Sequence, residues 1–170
     1  MTASEPATVY ISGGSNIAPE DNLRFACREL EKRYGDVSVS PVYRSAAVGF
    51  EGEPFLNCVF ALATRDSAAA VVAFLEELHT LAGRARGANA FAPRTLDLDL
   101  LLYGDAIIPE PPVKVPRDDI TEYAFVLKPL VDIAPALRHP VSGRTMAELW
   151  QAFPARDQGL ERVAVNLSAG

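Results

Sequence analysis

The stretch Arg94-Thr95-Leu96-Asp97-Leu98-Asp99-Leu100-Leu101-Leu102 decides the fold of this chain. Leucine and aspartate alternate strictly from Leu96 to Leu100, which is the period of a β-strand, whose successive side chains point to opposite faces. The leucines then face a core, and Asp97 and Asp99 project together from the other side. At about 3.3 Å rise per residue the two aspartates start roughly 6.6 Å apart along the strand, so their carboxylates can converge on shared ligands. Aspartate is a poor strand residue and like charges side by side repel. The pair therefore asks for a compensating cation. Mg²⁺ is a hard ion that takes oxygen ligands, typically one or two carboxylates plus substrate phosphates. On the strand alone, a half-buried strand with a solvated acidic face is an equal alternative.

The flanking sequence shifts that balance. Residues 78–95 contain no Asp or Glu, although the chain carries a net charge of −6. The same window holds Arg84, Arg86 and Arg94, with Gly83, Gly87 and Pro93 marking turn and loop. Arginine forks grip phosphate oxygens bidentately while carboxylates hold the metal that bridges them, so a cationic loop feeding an aspartate pair suits a Mg²⁺–polyphosphate.

Working outward, residues 8–12 read as a first strand that leads into Gly13-Gly14-Ser15-Asn16, a plain turn on its own reading. Leu23, Cys27, Leu30 and Tyr34 recur at helical spacing before Gly35, which predicts a helix over 20–34. Residues 37–45 and 55–64 read as strands. Ser67 is placed to cap a second helix running through Val71, Phe74, Leu75 and Leu78 to Gly83. The order is β-α-β-β-α-β, so the expected class is α+β: a ferredoxin-like βαββαβ core, an antiparallel sheet with the helices on one face, plus C-terminal additions. In those additions residues 107–116 are proline-rich and extended or looped, 125–133 form a strand or short helix, and 146–153 a helix ended by Pro154. Residues 1–170 make one domain, with 1–7 and about 155–170 expected to be weakly ordered, apart from Val163–Leu167.

A chain of 170 residues with 49% hydrophobic content is long enough for one core and short for two. The net charge of −6 argues against a general nucleic-acid or anionic-membrane binder. Cys27 and Cys58 lack metal-ligand spacing and sit in apolar segments, which reads as buried free thiols in a reducing compartment. With no signal-like or membrane-length apolar run, the protein is expected to be soluble and cytoplasmic; a monomer is the separate expectation for its oligomeric state. There is no G-x-x-x-x-G-K-[ST] loop and no protein-kinase signature set. His79 and His139 form no motif, and His79 reads as a packing or solvated side chain. Neither cysteine has an evident base partner, which leaves metal and electrostatics as the chemistry. Asn57, inside an apolar strand, must find hydrogen-bond partners if buried. Phe55 and Phe125 read as core, whereas Phe91 sits in the arginine loop, where a large ring has little reason to be exposed.

Phe91-Ala92-Pro93-Arg94-Thr95-Leu96-Asp97-Leu98-Asp99 resembles the signature of the 6-hydroxymethyl-7,8-dihydropterin pyrophosphokinase family of folate biosynthesis. Tyr10-Ile11-Ser12-Gly13-Gly14-Ser15-Asn16, Val42-Tyr43-Arg44-Ser45, Phe55-Leu56-Asn57, Gly83-Arg84-Ala85-Arg86, Val115-Pro116 and the block from Ala124 to Leu130 resemble further family segments, in order, from about residue 9 to 140. The resemblance implies pyrophosphate transfer from the co-substrate ATP to the hydroxymethyl group of the dihydropterin, with release of AMP. It implies that Asp97 and Asp99 hold two Mg²⁺ ions and that Arg84 and Arg94 brace the phosphates, these four being the catalytic set. It implies that Ser45, Ala46, Val48, Phe55, Asn57, Phe91 and Phe125 bind the pterin, with Phe55 and Phe125 sandwiching its ring. It assigns Arg84, Arg86, Arg94, Leu100, Lys114, Arg117 and Tyr123 to ATP. The chain departs from the family pattern at Arg117 (commonly His), Tyr123 (often Arg), His79 (usually Glu) and Ala92 (Gly), which marks a divergent or paralogous member. A pterin-binding paralogue with weak or no catalysis, and the same transfer on a related pterin, are the alternative readings.

Overall fold

The computed structural model describes residues 5–46, 53–85, 96–154 and 159–167, and of residues 84 and 85 the backbone alone. The elements run β1 (Ala7–Ser15), α1 (Pro19–Tyr34), β2 (Ser38–Val39), β3 (Val42–Ser45), β4 (Phe55–Thr64), α2 (Ala68–Ala85), β5 (Asp97–Tyr103), α3 (Asp119–Glu122), α4 (Ala124–Ile133), α5 (Met146–Gln151) and β6 (Glu161–Val163). The strands form one sheet in the order β5-β1-β4-β3-β6, with β2 pairing β4, and every pairing is antiparallel. The first four places in that order are the ferredoxin-like arrangement expected of a β-α-β-β-α-β chain.

Two apolar cores sit on the two faces of the sheet. On one face Val9, Ile11, Phe60, Leu98 and Leu100 pack against Leu23, Ala26, Cys27 and Leu30 of α1 and Val71, Leu75 and Leu78 of α2. Glu20 and Asp21 in the first turn of α1 and Lys32 and Arg33 in its last complement the helix dipole. The Ser67 hydroxyl accepts the Ala70 N–H at 3.1 Å and starts α2. Ser67→Ala is expected to cost about 1 kcal/mol and so lower the melting temperature by roughly 2–4 °C. Thermal denaturation followed by circular dichroism checks this, and an unchanged midpoint would show that the cap contributes nothing.

On the other face Val59, Leu101 and Leu102 meet Ile120, Leu127, Leu130 and Met146. The two core helices α1 and α2 thus share one face as expected, and the C-terminal additions α3, α4 and α5 cover the other. A shift in register between Tyr10 and Ile11 leaves Leu101 as the extra residue of β5, and both Leu101 and Leu102 then reach this second core.

Other departures have local causes. The expected strand over 37–45 breaks at Ser40-Pro41, where proline cannot donate to a ladder; Ser40 spans the gap, its N–H donating to the Val59 carbonyl at 2.9 Å and its hydroxyl accepting the Val59 N–H at 2.8 Å. Gly13 and Gly14 are not a turn but extended residues of β1. Of the two readings open for residues 125–133, the helix is the one found. In the terminal stretch the order begins two residues before the excepted Val163–Leu167, since β6 pairs with β3 from Glu161; Leu167 is buried in the first core. Cys27 and Cys58 are buried and free. Among the described residues no helix is long and apolar enough to cross a membrane.

Candidate active site

The site follows from the register of four strands. Asp97 of β5 lies opposite Gly14 of β1, Gly14 opposite Asn57 of β4, and Asn57 opposite Tyr43 of β3. One step along, Asp99 lies opposite Ser12. By the two-residue alternation these side chains share the face covered by α4, at the end of the sheet where β1 and β3 finish and β4 and β5 begin. Ser12, Gly14, Asn57, Asp97 and Asp99 line a cleft of about 370 Å³ together with Ser45, Ala46, Phe55, Asp119, Tyr123 and Phe125.

Gly14 keeps the middle of that row open. A Cβ on it would sit 3.3 Å from Oδ1 of Asn57 and 3.9 Å from the Phe55 ring. Gly13 serves the opposite face, where a Cβ would come within 2.8 Å of the buried Phe60 ring. Asn57 is oriented by the protein, since its Nδ2 donates to the Tyr43 carbonyl at 3.2 Å and to the Ser45 hydroxyl at 2.8 Å. Those bonds place Oδ1 on the Gly14 side as an acceptor. The far wall is tied down by Tyr43, whose hydroxyl donates to Asp132 of α4, and by Lys128, 2.9 Å from the same carboxylate. Burial first, and then Asp132, push the Tyr43 hydroxyl up to about 12, so it remains a donor at neutral pH. At the head of α4, Phe125 stacks on Tyr123 with ring centroids 5.0 Å apart and planes 24° from parallel.

The other end of the cleft is acidic. Asp97, Asp99 and Asp119 all line it. Arg117 stands beside it, with Nη2 3.6 Å from Asp99 and Nε 3.1 Å from Asp119. Burial raises the Asp99 carboxyl above its ordinary range; Asp97 and Asp119 push the same way, and Arg117 only partly opposes them. Burial works to lower Arg117, but Asp99 and Asp119 outweigh it and leave its guanidinium raised. Among the described residues no group of three or more His, Cys, Asp or Glu side chains is arranged to hold a metal alone. That donor set fits Mg²⁺, which uses one or two carboxylates and completes its shell with water and phosphate oxygens. A second, smaller cavity opens on the outer side of β5, lined by Glu76, Leu98, Asp99, Leu100, Val113 and Arg117.

Among the residues singled out in the sequence, the structure brings Ser45, Ala46, Phe55, Asn57, Asp97, Asp99, Tyr123 and Phe125 into one cleft and sets Arg117 at its edge. The Leu100 side chain is instead buried in the first core, because it shares the parity of Leu98, opposite to the aspartates. Lys114 is exposed, 3.8 Å from Asp118, and lines neither cavity. Val48, Arg86, Phe91, Arg94 and the Arg84 side chain lie outside the described residues. Sequence reasoning missed Asp119, Ser12 and the role of Gly14. The Asp118-Asp119 pair just after Arg117 was the available signal for the first.

A flat aromatic slot joined to an acidic, metal-ready edge on a ferredoxin-like sheet defines an enzyme cleft of the group-transfer kind. The chain belongs to the 7,8-dihydro-6-hydroxymethylpterin-pyrophosphokinase (HPPK) family, which it matches over residues 10–135. It is 39% identical over 159 residues to the 2-amino-4-hydroxy-6-hydroxymethyldihydropteridine pyrophosphokinase of Pseudomonas aeruginosa, covering 91% of this chain and 96% of that protein. It is 31% identical over 146 residues to the protein of the same name from Aquifex aeolicus, covering 84% of this chain and 89% of that one. In fold it is similar to Plasmodium falciparum HPPK-DHPS crystallised with pterin and p-hydroxybenzoate, with a TM-score of 0.71 at 15% identity over 96% of this chain. The chain spans about half (48%) of the length of that solved chain.

Proposed function

We propose that this cleft transfers pyrophosphate from ATP to the hydroxymethyl group of 6-hydroxymethyl-7,8-dihydropterin, giving AMP and the pterin diphosphate. The observation that carries the reading is the strand register that sets Asn57 and Asp97 in one row with a glycine between them. Two strand spacings separate them by about 10 Å, so a bicyclic ring held at Asn57 points its substituent at the aspartates. Phe55 and Phe125 supply apolar ring faces for a flat heterocycle. The fixed Oδ1 of Asn57 selects a ring edge that presents N–H donors, and the Ser45 hydroxyl and Ala46 border the same slot.

In the transfer the hydroxymethyl oxygen attacks the β-phosphorus and gives up its proton to solvent, the bond from that phosphorus to the bridging oxygen of the α-phosphate breaks, and AMP leaves. Asp97 and Asp99 would hold two Mg²⁺ ions, which when bound neutralise the triphosphate and align it with the attacking oxygen. Arg117, already paired with two carboxylates, is placed to exchange one of them for a phosphate oxygen. Arg84, Arg86 and Arg94 are assigned to the phosphates by sequence position, and Val48 and Phe91 to the pterin. The smaller cavity outside β5 is assigned to the nucleoside end. Leu100 lines that cavity, and because it shares the parity of Leu98 its backbone groups turn to the same outer side of β5. Tyr123 and the more distant Lys114 complete the nucleotide assignment. We further assign the chain to the cytoplasm as a monomer, a placing that its buried free thiols suit.

Incubation with ATP, Mg²⁺ and the pterin, followed by chromatography of the nucleotides, is expected to yield AMP. ADP as the product would overturn pyrophosphoryl transfer. Pterin binding by calorimetry with no AMP formed would support the non-catalytic paralogue instead.

A further inference from the structure

The two aspartates stand on β5, the end strand of the sheet among the described residues. In an antiparallel pair every second residue turns its N–H and C=O away from the partner strand. On an end strand those groups need partners elsewhere. Leu98, between the two aspartates and opposite Gly13, is such a residue. Its N–H donates to Nε2 of His79 at 2.8 Å. The side chain of His79 is only 14% exposed, and the helix that carries it is seated on β5 through Leu75 and Leu78 against Leu98 and Leu100.

We infer that His79 is the positioning residue of the metal-binding strand: its proton-free Nε2 holds the Asp97–Leu98 peptide in place and so aims the two flanking carboxylates. The nitrogen of Leu98 belongs to the peptide unit that links Asp97 to Leu98, so fixing that plane fixes the direction in which Asp97 leaves the strand and anchors the residue that precedes Asp99. An acceptor at Nε2 requires that the neutral ring carry its proton on Nδ1. Oε2 of Glu76 lies 3.5 Å from Nδ1, long for a hydrogen bond but on the side that favours this tautomer. An imidazole also accepts the bond without adding negative charge next to Asp97, Asp99 and Asp119. Groups that orient metal ligands from behind typically carry 10–100-fold in metal affinity or activity when removed.

The inference rests on the proposed metal role of Asp97 and Asp99, so the experiment separates the two. The full-length protein is compared as wild type, His79→Leu, His79→Gln and Asp97→Asn. His79→Gln keeps an acceptor oxygen at similar reach. Three quantities are read: hydrogen exchange of the Leu98 amide, Mn²⁺ affinity by electron paramagnetic resonance with α,β-methylene-ATP present, and the imidazole tautomer by long-range ¹⁵N NMR. The expected results are an Nδ1–H tautomer in the wild type, and in His79→Leu faster Leu98 exchange with at least tenfold weaker Mn²⁺ binding at an unchanged pterin KM. Recovery to within about threefold is expected in His79→Gln. An Nε2–H tautomer, unchanged exchange and affinity in His79→Leu, or a His79→Gln variant as impaired as His79→Leu would each overturn the inference. Wild-type Mn²⁺ affinity in Asp97→Asn would instead overturn the metal role itself. A drop there without one in His79→Leu removes only the part given to His79.

Discussion

Replacing Asp97 or Asp99 by asparagine is expected to lower turnover by about three orders of magnitude, the scale on which a preorganised charge-stabilising group acts in a transition state. The fold is expected to survive, and at position 99 to gain. Burial, together with Asp97 and Asp119, holds the Asp99 carboxyl above its ordinary value of 3.8, so ionisation is harder in the folded chain than in the unfolded one. A group shifted in that direction removes stability as pH rises through 3.8 toward the folded value, and the full penalty stands at neutral pH. Asparagine carries no such penalty. Melting curves at neutral pH are therefore expected to place Asp99→Asn at or above the wild type, with the difference closing as the pH falls toward 3.8. Steady-state AMP formation gives the other half of the test. Near-normal turnover in either variant would contradict the metal role, and a lower midpoint for Asp99→Asn at neutral pH would contradict the electrostatic account of the site.

The second large effect is expected at the aromatic wall. Phe125→Ala removes a ring that lines the cleft and stacks on Tyr123. Losing about 2 kcal/mol of ring contact corresponds to roughly thirtyfold weaker pterin binding. Calorimetric titration with the pterin measures this directly, and Mn²⁺ affinity in the same variant is expected to stay at the wild-type level because the metal end of the row is untouched. Equal losses at both ends would mean that the helix α4 had shifted, and unchanged pterin affinity would remove Phe125 from the slot.

The parts of this protein legible in its sequence are those written locally. The strand over 55–64 is found where its apolar run predicts it, and α1 where its apolar spacing, Pro19 and Gly35 predict it. The alternation at Asp97 and Asp99 gives both the strand and its two faces. Other features depend on what docks afterwards. Gly13-Gly14 reads as a turn, yet both residues are extended: Phe60 approaches one closely from one face and Asn57 the other from the opposite face, contacts that exist only once β1 and β4 are paired. The side of the sheet taken by α4 is not written in residues 124–133, whose apolar pattern fits either face and whose Pro129 obscures the helix. Asp119 looks like one more solvated acid until Arg117 draws it against Asp99. His79 shows its bond to Leu98 only when α2 lies along the end strand.

The most direct measurement is a crystal structure of the protein with Mg²⁺, α,β-methylene-ATP and the dihydropterin. The expected result is metal density bridging the carboxylates of Asp97 and Asp99 to the triphosphate, with the pterin ring between Phe55 and Phe125 and its hydroxymethyl oxygen facing the β-phosphorus. Metal bound away from these two aspartates, or a pterin lying outside the Asn57 slot, would contradict the account.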